Sequence, residues 1–162
     1  MRRRQMGFSL IELLIVVAII LIIAAIAIPN LLRSRMAANE ASAVGSLRTI
    51  NTAEVTFSTT YNSVGFGSLA ALGGAVGTCA TPTGATSTGA CLIDDVLAAG
   101  QKSGYNFTIT NLTGAPVIVT YTATALPVVV GQSGQRGFCT DQSGVIRANP
   151  AGTCNVASDP AL

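Results

Sequence analysis

The apolar residues of the chain are concentrated in one uninterrupted run near its N-terminus. The run, FSLIELLIVVAIILIIAAIAI, occupies residues 8–28 and contains a single charged residue, Glu12. As a helix rising about 1.5 Å per residue it extends about 31 Å, which matches the hydrocarbon thickness of a bilayer. Three arginines at positions 2–4 precede it. By the positive-inside rule they predict a cytoplasmic N-terminus and an anchored domain on the other side of the membrane.

Two other interpretations of this run are open. One is a secretory signal peptide, because Ala25-Ile26-Ala27 offers an A-x-A-like cleavage site. Glu12 argues against it, since an acid in an apolar segment costs about 3 kcal/mol on insertion and gives a signal peptide nothing. The other is a plain single-pass anchor with an incidental glutamate.

After Pro29 the pattern becomes amphipathic. Apolar side chains recur at steps of three, three, seven and four residues, which places them on one face of a helix: Val44, Leu47, Ile50, Phe57 and Tyr61. We therefore predict one long helix that starts at Phe8 and ends near Asn62. Glu54 is expected at the rim of the apolar stripe.

The C-terminal part of the chain changes to the two-residue period typical of strands. Residues 63–104 are rich in Gly, Ser, Thr and Ala and predict a connecting region, with a short helix in LIDDVLAAG that ends at Gly100. Strands are predicted in YNFTIT, PVIVTYTAT, RGFCT and GVIRA, the last two joined by a turn at residues 141–144. Three or four antiparallel strands within residues 105–162, packed on the outer half of the long helix, make an α+β fold.

The composition excludes most catalytic chemistry. The 162 residues include no His and no Trp, and only 10% are charged. Histidine is the commonest metal ligand and general base. The formal net charge of +2 is too small for a nucleic-acid footprint. We therefore predict a protein that is not an enzyme, with no cofactor, no metal site and no nucleic-acid partner.

The segment GFSLIELLIVVAIILIIAAIAIPNLL, residues 7–32, resembles the N-terminus of type IV pilins and of the related secretion pseudopilins. The resemblance implies a prepilin with a short leader, residues 1–7. A membrane peptidase cuts between Gly7 and Phe8 and methylates the new Phe8 amine. Glu12 is then the buried acid of an assembled filament.

The resemblance also implies the pilin fold. Its long N-terminal helix has a protruding hydrophobic part, residues 8–29, that serves as membrane anchor and filament core. An amphipathic part, residues 30–62, packs on a small antiparallel sheet. The family's helix-kinking proline corresponds to Pro29. Many type IVa pilins carry Gly eight residues before it, where this chain has Leu21.

Physical chemistry supports two of these roles independently. Gly7 has no side chain, so a peptidase can close on the backbone there. Glu12 lies four residues after Phe8, on the same helical face. Once cleavage frees the Phe8 amine, the amine and the Glu12 carboxylate can pair, within a subunit or between neighbours. An unpaired carboxylate in an apolar core is strongly disfavoured, so pairing also fixes the stagger between subunits.

Four cysteines, Cys79, Cys91, Cys139 and Cys154, lie in the exported part of the chain, where disulfides are expected. Three connectivities are possible. We favour Cys79–Cys91 and Cys139–Cys154, since each closes a short loop within one region. The second pair matches the C-terminal disulfide loop of many type IV pilins. Zinc is the rival interpretation, but no pair has the short spacing of a structural zinc site.

The resemblance implies a major pilin that polymerises with itself into an extracellular pilus, or fimbrium. Its other partners are the prepilin peptidase and methylase and the assembly machinery of the inner membrane, which first holds the precursor. The alternatives are a type II secretion pseudopilin and a pilus-associated enzyme or DNA-binding minor subunit. Motility, adhesion, DNA uptake and electron transfer all stay open as uses of the filament.

Residues 55–93 and 103–135 carry no charge. This indicates lateral packing, an adhesive face, or a polar surface that carries glycans.

Overall fold

The computed structural model describes residues 8–74, 79 and 85–162, so the predicted leader lies outside the described residues. The first element is α1, Leu10–Thr60, a helix of 51 residues. The chain divides into two compact units, and the boundary along the sequence falls within this helix: one unit ends at Arg35 and the other comprises Met36–Leu162. The predicted long helix is confirmed, with an end two residues before the predicted one.

The second unit is built on the amphipathic part of α1. The predicted stripe is confirmed, because Val44, Leu47, Ile50 and Phe57 are all buried in one core cluster, and Tyr61 packs against it. The expectation for Glu54 is wrong, because its side chain has no exposed surface. The reason is that the chain after α1 folds back across the helix and covers the flank on which Glu54 lies.

The connecting region contains two short helices. The structure adds α2, Leu69–Gly73, which the sequence did not predict and which the Ser68 side chain caps by accepting a bond from the amide of Ala71. The predicted short helix is α3, Asp95–Ala98, capped by Asp94. Gly100 follows it with φ +82°, the left-handed conformation in which glycine ends a helix.

The sheet is an antiparallel meander in the order β1-β2-β3-β4-β5. Its strands are β1 Gln101–Lys102, β2 Tyr105–Thr113, β3 Thr120–Pro127, β4 Gly137–Asp141 and β5 Arg147–Asn149. The α+β class and the small antiparallel sheet are confirmed. The structure has one strand more than the four predicted. This additional strand is β1, which was missed because two residues are too few to show a period.

The strand predicted from Pro116 starts instead at Thr120, and Val119 is exposed. The residues before it pair with a different part of the chain. Ile118 donates its amide to the carbonyl of Val64 at 2.9 Å and accepts the amide of Phe66 at 3.1 Å. Ile118, which the two-residue period assigned to a strand, therefore binds the segment that follows α1.

Candidate processing and assembly site

The predicted processing site lies at the start of α1. The Ser9 carbonyl accepts the first helical hydrogen bond, from the amide of Leu13, at 3.3 Å. The Glu12 carboxylate turns back and accepts the amide of Ser9 at 3.0 Å. An acidic side chain that bonds the backbone three residues earlier is one half of a capping box. The carboxylate thus satisfies one of the free amides at the helix start, where the helix dipole also favours negative charge.

Ser9 is the residue of this site that the sequence analysis missed. The signal was present, because Ser-x-x-Glu directly before an apolar run is a capping-box signature. Phe8 precedes it with a largely exposed side chain, while Gly7 lies outside the described residues. The Glu12 carboxylate is therefore held on the backbone amide that directly follows the Phe8 residue.

The apolar part of α1 presents its large side chains to its surroundings. Phe8 and Leu10 are each 78% exposed, and the large apolar residues from Ile11 to Leu32 are exposed as well. By length and composition alone, α1 is apolar enough to cross a membrane, a property that signal sequences share. Pro29 lies inside this helix. The kink at Pro29 stays a prediction.

The structure joins the four cysteines in the pairs favoured above. Cys79 and Cys91 form one disulfide and Cys139 and Cys154 the other, with Cα–Cα distances of 5.6 and 5.7 Å. Cys139 is fully buried on β4. The second bond therefore fixes the C-terminal segment to the sheet.

Hydrogen bonds around Asp159 hold the same C-terminal segment. Its carboxylate accepts bonds from the Asn149 side chain at 2.9 Å and the Asn155 amide at 2.7 Å, and its carbonyl accepts the Arg147 guanidinium at 2.9 Å. The carboxylate lies close enough to the Cys139 and Cys154 sulfurs for the three to resemble a metal site. The two sulfurs are bonded to each other, however, so neither is a thiolate ligand.

An ion pair fastens α1 to the segment before β4. The Glu40 carboxylate accepts the amides of Gln135 at 2.9 Å and Arg136 at 3.1 Å, and the Arg136 Nε at 2.8 Å. Burial acts to raise the pKa of Glu40. The hydrogen bonds and the positive charge of Arg136 outweigh that effect and hold the pKa below its usual value.

Comparison with known proteins bears on the N-terminal segment. Residues 2–28 match the family described as "Prokaryotic N-terminal methylation motif". The chain is 48% identical over 54 residues to the "Type IV major pilin protein PilA" of Myxococcus xanthus, covering 33% of this chain and 24% of that protein. It is 63% identical over 38 residues to the "Type IV wide pilus major component PilA4" of Thermus thermophilus, covering 24% of this chain and 29% of that protein.

The matched part spans only about a quarter of the length of these curated relatives. No solved structure matches the chain. The family match nevertheless covers most of residues 7–32, from which the resemblance was drawn, and both relatives are named as components of type IV pili. The predicted resemblance is confirmed: the N-terminal segment of this chain carries the methylation motif, and the chain is similar to two components of type IV pili.

Proposed function

We propose that this chain is the major structural subunit of a type IV pilus. The observation that carries the proposal is the methylation-motif segment, in which Glu12 occupies the first turn of a long helix with an exposed apolar surface. The names of the two relatives favour a pilus subunit over a secretion pseudopilin. The role is structural, with no catalysis by the chain itself.

Processing is the first step of the proposal. Residues 1–7 are a leader that a prepilin peptidase removes between Gly7 and Phe8, and the Phe8 amine is then methylated. Before this cut the precursor spans the inner membrane through residues 8–29, with its N-terminus in the cytoplasm. Residues 36–162 lie on the far side and become the outer part of an extracellular filament.

Assembly is the second step. An apolar helix is stable in lipid, and the same side chains can pack against identical helices of other subunits in a filament. Glu12 leaves water both in lipid and in the filament. Its bond to the Ser9 amide satisfies only part of the hydrogen-bonding capacity of the carboxylate. The amine released at Phe8 supplies a positive partner within one helical turn, in the same subunit or in a neighbour.

Mass spectrometry and electron microscopy of the same strain test the proposal. We expect filaments whose subunits begin at a methylated Phe8, and we expect these filaments to disappear when the gene is deleted. Subunits that retain residues 1–7 contradict the processing step. Normal filaments in the deletion strain, combined with loss of protein secretion, assign the chain to the pseudopilins instead.

A further inference from the structure

Glu54 is a charged residue type with a fully buried side chain. It lies on the part of α1 that also carries the buried core residues Ala53 and Phe57. One carboxylate oxygen, Oε2, accepts the amide of Gly67 at 2.9 Å. The other, Oε1, is buried and accepts no hydrogen bond from any residue that the structure describes.

The neighbouring polar groups already donate their hydrogen bonds to acceptors other than Glu54. The Tyr121 hydroxyl donates its proton to the Asn51 side-chain oxygen at 3.0 Å. The Asn51 amide group donates in turn to the Thr140 hydroxyl and the Gly144 carbonyl. This network satisfies its own members and leaves the Gly67 amide as the donor to Glu54.

No positive charge faces Glu54 from the described elements around it. Residues 55–93 contain no charged residue, and the titratable side chain of the segment that directly follows α1 is Tyr61. β3 contributes Tyr121 and β4 contributes Asp141, which is acidic. Along α1 the preceding charged residue is Arg48, whose side chain is exposed. An ionised Glu54 therefore has no counter-ion, whereas a protonated one needs none.

The electrostatics agree with this geometry. Burial raises the pKa of Glu54 to about 7, and the hydrogen bond from Gly67 offsets only part of that rise. Burial also raises the pKa of Tyr121, so that phenol stays neutral. The carboxyl group is the titratable group of this cluster that changes charge near neutral pH.

The Glu54–Gly67 bond joins α1 to the segment 61–68 that crosses over it. This crossing segment is also held from its other side. There the Phe66 amide donates to the Ile118 carbonyl, and the centroids of the Phe66 and Tyr121 rings lie 4.8 Å apart. Gly67 approaches α1 closely, since a Cβ at that position would lie 3.1 Å from the Phe57 ring. Oε1 is buried, so its hydration requires part of its cover to move, and this segment is the part that bonds the same carboxyl group.

We propose that Glu54 is a proton-dependent latch, which holds the crossing segment 61–68 against α1 when the carboxyl group is protonated and releases it when the proton is lost to water. Ionisation leaves a buried carboxylate with one hydrogen bond. The least costly way to hydrate Oε1 is to open the crossing segment, while the sheet stays intact.

The direction of the pH effect follows from the raised pKa. In the closed form Glu54 holds its proton up to about pH 7, whereas in the open form it ionises near its ordinary pKa of 4.5. The closed form therefore loses stability as the pH rises between these two values, and not below them.

Amide hydrogen exchange on the full chain in detergent micelles tests the latch. After correction for the intrinsic rate, we expect the protection of the Phe66 and Gly67 amides to fall by about tenfold or more between about pH 5 and about pH 8. In Glu54→Gln, which cannot ionise, the protection should be independent of pH. Glu40→Gln is the matched control on the same helix, and it should retain the wild-type pH dependence.

Wild-type protection that does not change over this range overturns the proposal, and so does an equal change in Glu54→Gln. Infrared titration of the Glu12→Gln variant provides a measurement that needs no Glu54 substitution. A protonated-carboxyl band that persists to near neutral pH supports the latch. Complete ionisation by about pH 5 overturns it.

Discussion

Three glutamates on one helix show how position decides what a carboxylate does. Glu12 lies in the first turn and accepts the amide of Ser9. Glu40 accepts three bonds from the segment before β4, one of them from a guanidinium. Glu54 is buried with one donor and no cation. We propose that the first pairs with the amine that cleavage creates and that the third is stable only with a proton, whereas the second already has its partner.

For Glu12, we expect Glu12→Ala to be inserted and cleaved but to polymerise poorly. Removing the carboxylate leaves the Phe8 amine without a partner in an apolar core, a loss of several kcal/mol that should lower filament yield by more than about tenfold. Ser9→Ala is the matched control, since it keeps the backbone amide that Glu12 accepts. Yield is measured on filaments sheared from cells. Normal filament numbers in Glu12→Ala contradict the pairing role.

For Glu40, we expect Glu40→Gln to destabilise the second unit at neutral pH by about 1 kcal/mol, because the pair is partly solvated and Gln keeps some of the bonds. The lowered pKa sets the sign. The contribution is present above the ordinary pKa of 4.5 and is lost as the pH falls through the lower folded value. Thermal unfolding should separate wild type from variant at neutral pH and not in strong acid. A difference that persists in acid contradicts the ion pair as its cause.

At the scale of elements, periodicity predicted the helix and strands that repeat a hydrophobic pattern over several residues. It missed the features that depend on tertiary contacts. The long helix, its apolar stripe and the strands β2 and β3 each repeat a pattern over several residues. α2 and β1 are too short to do so. Glu54 appeared to be a rim residue because a stripe shows only one contact face, and the crossing segment adds a second. The start of β3 shifted because Ile118 pairs with Val64 and Phe66.

The N-terminal site also has features that the sequence predicted and features that it did not. The roles of Phe8 and Glu12 stay predictions, which rest on a motif that is continuous in the sequence. The role of Ser9 depends on a bond between its amide and the Glu12 carboxylate, which is legible only as a capping signature. The disulfide pairs could be predicted as short loops, but the burial of Cys139 required the strand register.

A prediction for α1 concerns the disruption that we expect at Pro29 in the filament. Proline lacks an amide proton, so the Ala25 carbonyl loses its helical bond and the ring crowds that turn. Leu21 favours helix over Gly by nearly 1 kcal/mol, so in the filament we expect disruption only between about Ala24 and Pro29. Leu21→Gly should extend it toward the N-terminus. A filament map with continuous helix through Pro29, or melting before Leu21 in the wild type, contradicts the prediction.

At the scale of the whole molecule, the unit Met36–Leu162 carries both disulfides in a chain rich in small residues. Cys79–Cys91 closes a loop in the connecting region, and Cys139–Cys154 fixes the C-terminal segment to β4. Their sequence separations, 12 and 15, are similar, so chain entropy alone assigns both about the same stabilisation, about 3 kcal/mol. Burial separates them, because Cys139 is fully enclosed and Cys79 is only half-buried.

We therefore expect the double variant Cys139→Ser/Cys154→Ser to lower the unfolding temperature more than Cys79→Ser/Cys91→Ser does. Both lose the loop constraint, but the first also leaves a hydroxyl in the buried site on β4. Membrane insertion should be equal in the two, since the apolar part of α1 carries it. Thermal unfolding in micelles and membrane fractionation measure the two quantities, after non-reducing peptide mapping of the wild type. A Cys79–Cys139 peptide contradicts the connectivity, and equal unfolding temperatures contradict the role given to burial.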